Sequence, residues 1–131
     1  MPIPMKQDLS QVNWRFTAKQ IVAMIEVHKI NITKESTAHN DIMRILTDAG
    51  LEPQREVRMT AGSRVDVMVG GVAVEIKRRG SRREVWSQLE RYAAIEDVDC
   101  VVLATQAAWP QPPATIHGKP FFVASLNAGH L

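Results

Sequence analysis

The chain has one cysteine, one tyrosine and a net charge of only +2, and each shortage excludes something. Cys100 lies inside the apolar run Val98 to Ala104, so it reads as a small buried hydrophobe. A disulfide partner, an iron–sulfur cluster and a structural zinc site all fall away. Nowhere do about 18 apolar residues run together, and Met1-Pro2-Ile3-Pro4-Met5-Lys6-Gln7-Asp8 lacks the unbroken apolar stretch of a signal peptide. The expected location is therefore the cytoplasm, without a membrane. A pI near 8.9 is too mild to name a partner. Internal repeats and low-complexity tracts are absent.

What remains is 131 residues, 45% hydrophobic and 23% charged, enough for one globular domain with a single core. Thr17 and Gln20 have capping-box spacing, and Ile21, Val22, Met24 and Ile25 follow at helical intervals, which predicts a helix over Thr17–His28. Asn31-Ile32-Thr33 breaks it. A second helix is expected over Lys34–Ala49, with Ala38, Ile42, Ile45 and Ala49 on one face and Gly50 as its terminator. Strands are expected over Glu52–Thr60, Arg64–Val69 and Val72–Arg78. Ser81 and Glu84 make a further capping box and open a helix carrying Val85, Trp86, Leu89, Tyr92 and Ala93 to Glu96. Asp99–Thr105 is nearly all apolar and should be a central strand. Trp109-Pro110-Gln111-Pro112-Pro113 belongs to a loop reaching Pro120, and Phe121–Leu126 is a last strand. The fold class is α/β in the order α-α-β-β-β-α-β-β, with a mixed sheet of about four to five strands flanked by helices.

Gly70-Gly71 between two alternating runs signals a two-residue hairpin, since such turns need a positive φ that glycine takes freely. The register follows. Val69 faces Val72, Val67 faces Val74 and Val65 faces Ile76, which makes one aliphatic face. The other face gathers Arg64, Asp66, Glu75 and Lys77, with Asp66 directly opposite Glu75. Like charges so placed repel. Either Lys77 offsets them in an ordinary solvent-facing ion pair worth about 0–1 kcal/mol, or a divalent cation is bound by both. Two adjacent carboxylates are the hard oxygen ligands Mg²⁺ prefers, leaving positions for water and a phosphate oxygen. A lysine beside them can orient the attacking water and stabilise developing charge. Next along the chain, Lys77, Arg78, Arg79, Arg82 and Arg83 place five of sixteen basic residues within seven positions. Such a run is either a solvated turn or a phosphate-attracting patch.

Asp66, then Glu75-Ile76-Lys77 in a strand followed by a helix, resembles the PD-(D/E)xK nuclease superfamily, although Val65 stands where proline often precedes the aspartate. Gln88-Leu89-Glu90-Arg91-Tyr92 is similar to the Gln-x-x-x-Tyr signature of its RecB and lambda-exonuclease-like branch. The helix–strand–strand–strand–helix–strand order from Lys34 to Thr105 looks like the superfamily's restriction-endonuclease-like core, and the stretch Glu35 to Tyr92 looks like its small phage and prophage members. The resemblance implies a Mg²⁺-dependent hydrolase of DNA phosphodiesters, with Mn²⁺ as a substitute metal. In it Asp66, Glu75 and the Ile76 carbonyl hold metal and Lys77 assists the water. Gln88 and Tyr92 position the site and the DNA, and either Glu35 or His39 on the preceding helix completes it. Ser81 and the arginines Arg78, Arg79, Arg82 and Arg83 at the helix N-terminus would gather the phosphodiester. Trp14, Trp86 and Trp109 either stack on bases or pack in the core and loops.

On this reading residues 1–131 form a single nuclease domain. Residues 1–33 are an N-terminal extension with one helix, 34–105 the catalytic core, and 106–131 a loop and terminal strand. Exonuclease and structure- or strand-selective endonuclease remain open, and selectivity in so short a chain would need a homo-oligomer or a partner. The competing expectation is a catalytically inactive module that binds nucleic acid or protein.

Overall fold

The computed structural model describes residues 12–59 and 63–126. The segment through Gln11 and the expected strand end at Thr60 lie outside them. Among the described residues the chain is α/β, with three helices and a mixed six-stranded sheet. Helix α1 spans Trp14–Val27 and α2 spans Glu35–Asp48. Strands β1 (Gln54–Arg58), β2 (Arg64–Val69) and β3 (Val72–Lys77) follow, then α3 (Arg82–Ala93), β4 (Cys100–Thr105), β5 (Thr115–Ile116) and β6 (Lys119–Ser125). The spatial order is β1-β2-β3-β4-β6-β5. β1 and β3 each run antiparallel to β2 between them, β3 and β6 both run parallel to β4, and β5 closes the far edge antiparallel to β6.

Alternating side chains give the sheet two apolar faces. Val67, Val69, Val72, Val74 and Ile76 are buried with Ile21, Ile25, Ile42 and Leu46, so α1 and α2 cover one face. Met68, Ala73, Val101 and Leu103 are buried with Val85, Leu89 and Tyr92 of α3 on the other. A parallel β3–β4 pair requires a crossover rather than a tight turn, and α3 supplies it. β4, apolar at nearly every position, is buried along its whole length at the centre of the sheet.

Several boundaries differ from expectation. α1 starts at Trp14 because Asn13 is its cap: the Asn13 side chain accepts from the Phe16 N–H at 3.3 Å, leaving Thr17 and Gln20 inside the helix. α2 buries Leu46, while Ala49 is exposed as its C-cap before Gly50 at φ +86°. The sheet has six strands because the expected loop contains β5, a two-residue strand joined to β6 by His117 and Gly118, both at positive φ. That turn also lengthens the last strand back to Lys119. Val65 does not extend the valine face: it is buried with Leu89 and Tyr92, whereas Val67 lies against α1 and α2. The two-residue alternation therefore breaks at Asp66.

The hairpin turn is held from above. A Cβ on Gly70, which has φ +54°, would lie 2.0 Å from the Trp14 ring, and one on Gly71 would lie 2.3 Å from an Asp99 carboxylate oxygen. Trp14 thus packs on the turn. No helix among the described residues is long and apolar enough to cross a membrane, and Cys100 is buried, its thiol pushed up to about 11 chiefly by burial.

Candidate active site

The predicted hairpin register holds where it is paired: Val69 with Val72, Met68 with Ala73, Val67 with Val74. The ladder stops there. One step further, the Ile76 N–H donates to the Asp66 carboxylate at 2.9 Å, where a strand carbonyl would continue the sheet. The two strands open at this point, and Asp66 fills the gap. Its Oδ2 also lies 3.8 Å from Nε2 of His39, on α2.

Asp66, Glu75 and Lys77 line one cleft of about 630 Å³ under α3. Gln88 and Tyr92 line it from the helix, and Arg64, Arg79 and Arg91 add cationic groups to its wall. Glu84, Gln88 and Arg91 succeed one another at helical spacing, so one stripe of α3 faces the carboxylates. Arg91 donates to the Gln88 side-chain oxygen, which fixes that amide. Arg91 was not among the residues expected here. Its place three positions after Gln88 was the available signal.

Glu75 is 4% exposed, the one buried carboxylate of the described residues. Burial first, and then the neighbouring Asp66 carboxylate, push its acid up to about 8, against smaller opposing effects from Tyr92 and Lys77. Tyr92 explains how such an acid is tolerated. Its hydroxyl lies 2.6 Å from Glu75 Oε1 and 2.9 Å from the Arg64 carbonyl. One hydroxyl hydrogen cannot serve two acceptors. With Glu75 ionised, Tyr92 donates to it. With Glu75 protonated, the acid donates to Tyr92 and the hydroxyl hydrogen is free for Arg64. Burial and Glu75 in turn raise the phenol above its ordinary range, so it stays a neutral donor.

The remaining expected residues are placed as follows. His39 is brought to Asp66, but neither it nor Glu35, one turn earlier on α2, lines the cleft. Arg78 is engaged elsewhere, donating to the Ile32 carbonyl at 2.9 Å and anchoring the segment between α1 and α2. Ser81 is the N-cap of α3, its Oγ accepting from the Glu84 N–H at 3.1 Å. Arg82 lies 4.4 Å over the Trp109 ring, and Arg83 borders the same separate hollow. Of the basic run, Lys77 and Arg79 face the carboxylates.

Among the described residues no three His, Cys, Asp or Glu side chains are arranged to hold a metal ion. The oxygen pair nonetheless suits a cation that needs few protein ligands. Mg²⁺ commonly takes one or two carboxylates and keeps several waters, and the mutual repulsion of Asp66 and Glu75 is relieved by any bound positive charge. Comparison with known proteins adds no family: no family model, curated protein or solved structure matches this chain.

Proposed function

We propose that this chain is a metal-dependent nuclease that hydrolyses DNA phosphodiester bonds at the Asp66, Glu75 and Lys77 cleft, and that it is a divergent member of the PD-(D/E)xK superfamily. The observation that carries the reading is the break in the hairpin ladder. It sets two carboxylates and a lysine together in a cleft whose other charges are mostly arginines. The order α2-β1-β2-β3-α3-β4, with β1-β2-β3-β4 adjacent in a mixed sheet, supports the reading, being compatible with the restriction-endonuclease-like core that the resemblance implies.

Asp66 and Glu75, with the Ile76 carbonyl, would hold Mg²⁺ or Mn²⁺. Such an ion lowers the pKa of a bound water and neutralises charge on the phosphoryl oxygens. The Ile76 N–H fixes the orientation of Asp66, and Tyr92 fixes that of Glu75. Lys77 supplies a positive donor to the attacking water and to the charge that develops at phosphorus. Arg64, Arg79 and Arg91 draw the phosphate backbone into the cleft without reading base sequence. Gln88, tied to Arg91, presents its amide to the same strand. His39 stands beside Asp66 at the α2 side of the site, its Nε2 3.8 Å from Oδ2.

A second reading is a DNA-binding module without hydrolysis. One observation favours it: Glu75 is buried and already satisfied by Tyr92, as a structural acid would be. Incubating supercoiled plasmid, linear duplex and single strands with Mg²⁺, Mn²⁺ or EDTA separates the two. The nuclease reading expects metal-dependent cleavage of at least one substrate. It is overturned if nothing is cut and calorimetry finds no divalent-ion binding that Glu75→Ala removes.

A further inference from the structure

A second hollow, of about 290 Å³, lies on the other side of the first turn of α3. Its walls are Arg82, Arg83, Trp86, Trp109 and Pro113. The floor is rigid: Trp109 meets buried Phe121 of β6 edge-on at 6.2 Å, and Trp86 packs against both, at 6.3 Å from Trp109 and 5.5 Å from Phe121. The Arg82 guanidinium lies over the Trp109 ring, 4.4 Å from its centre. Both arginines are exposed, while the two indoles are half-buried. Rigid aromatic faces flanked by guanidinium groups suit one ligand chemistry above others, a flat base carrying an anionic phosphate.

The position of the hollow adds direction. Arg79, Gly80 and Glu84 line the carboxylate cleft, while Arg82 and Arg83, between them in sequence, line the hollow. The two sites therefore share the first turn of α3 as a common wall. The free N–H groups of a helix start attract phosphate. A nucleotide strand leaving the cleft over this turn places its next unpaired base against the indoles. A base inside a duplex is covered by its neighbours on both faces and cannot stack there.

We propose that Trp86, Trp109 and Arg82 form a stacking subsite for an unpaired nucleotide next to the scissile phosphodiester, so that the preferred substrate is DNA with a single-stranded segment or overhang. This rests on the nuclease reading for its substrate, yet it is testable without catalysis. In EDTA, fluorescence anisotropy would compare a labelled duplex bearing a short dT overhang with the same duplex made blunt, and tryptophan fluorescence would be followed as oligo-dT is added.

The wild type should bind the overhang at least about fivefold more tightly than the blunt end, with quenching on oligo-dT, given what stacking one base contributes. Arg82→Ala and Trp109→Leu should lose that preference, and Trp109→Leu most of the quenching, while Trp109→Phe keeps a platform and retains binding. If Trp109→Leu fails to fold, Arg82→Ala, a change at an exposed side chain, decides the matter alone. Equal binding of the two duplexes by the wild type, or an unchanged preference in a folded Arg82→Ala protein, overturns the subsite. A preserved overhang preference in a protein that cuts none of the substrates and binds no divalent ion that Glu75→Ala removes overturns the nuclease reading and leaves the subsite standing.

Discussion

The β2–β3 hairpin has two halves that obey different rules. Near the turn, the strands from Val67 to Val74 pair in register and bury their side chains. Beyond Val67 the ladder stops, the alternation of β2 breaks, and an aspartate side chain takes over a backbone donor. Paired apolar strands stabilise themselves through burial. The open half does not: its buried glutamate depends on Tyr92, on a proton or on a cation. On the proposed reading, stability resides in the first half and chemistry in the second.

Substitutions in the two halves should therefore have different readouts. The largest effect is expected in the open half on cleavage: Asp66→Asn should slow it roughly 10²–10⁴-fold, as removal of a principal charge from a reacting centre does. Its melting temperature should stay near that of the wild type, because an amide oxygen can still accept from Ile76. A large loss of stability in this variant would break the comparison. In the turn half the expectation reverses. Gly70→Ala combines a positive φ with a clash into Trp14 and should cost about 2–4 kcal/mol in urea unfolding. Activity per folded molecule should be retained.

Next in size is the pH dependence of Glu75. Its folded acid is raised to about 8 from an ordinary 4.5, so the protonated form is favoured by folding. That contribution is complete below the ordinary value and is lost as pH rises through the folded one. In EDTA, melting curves of the wild type should fall more steeply between about pH 5 and pH 9 than those of Glu75→Gln, which should be about 1–3 kcal/mol more stable at the upper end. Parallel curves would mean that Glu75 is not strained by its surroundings. The smallest effect is Tyr92→Phe, which removes the hydroxyl that bridges Glu75 and the Arg64 carbonyl. A loss of about 1–2 kcal/mol in denaturant unfolding is expected, together with a reduced cleavage rate.

How much of this was legible in the sequence follows from the range of each interaction. Gly70-Gly71 set the hairpin register because a tight turn is a local event, and the Ser81 cap set the start of α3 for the same reason. Local signals misled where two competed. Asn13 caps α1 although Thr17 offers the same chemistry four residues later, and β5 is too short to show any period. Long-range partners left no trace at all. Nothing near Arg78 announces its bond to Ile32, and nothing near Arg82 announces Trp109. Helical spacing put Glu35 and His39 on one side of α2, but only the docking of that helix brings His39 to Asp66. The meeting of Asp66 and Glu75 in one cleft was anticipated, but not as the direct ladder pair that was expected, since the ladder stops at Val67 and Val74. The opening of the strands between them, with Val65 turned to the other face, was not, because a register argument presumes that pairing continues.

The most direct measurement is the rate at which supercoiled plasmid is nicked or linearised in Mg²⁺ by the wild type and by Lys77→Ala, each checked for folding by its melting curve. The metal-site account predicts cleavage that EDTA abolishes and that Lys77→Ala reduces roughly 10²-fold or more. Cleavage that survives EDTA, or that the folded Lys77→Ala protein performs at the wild-type rate, would contradict it.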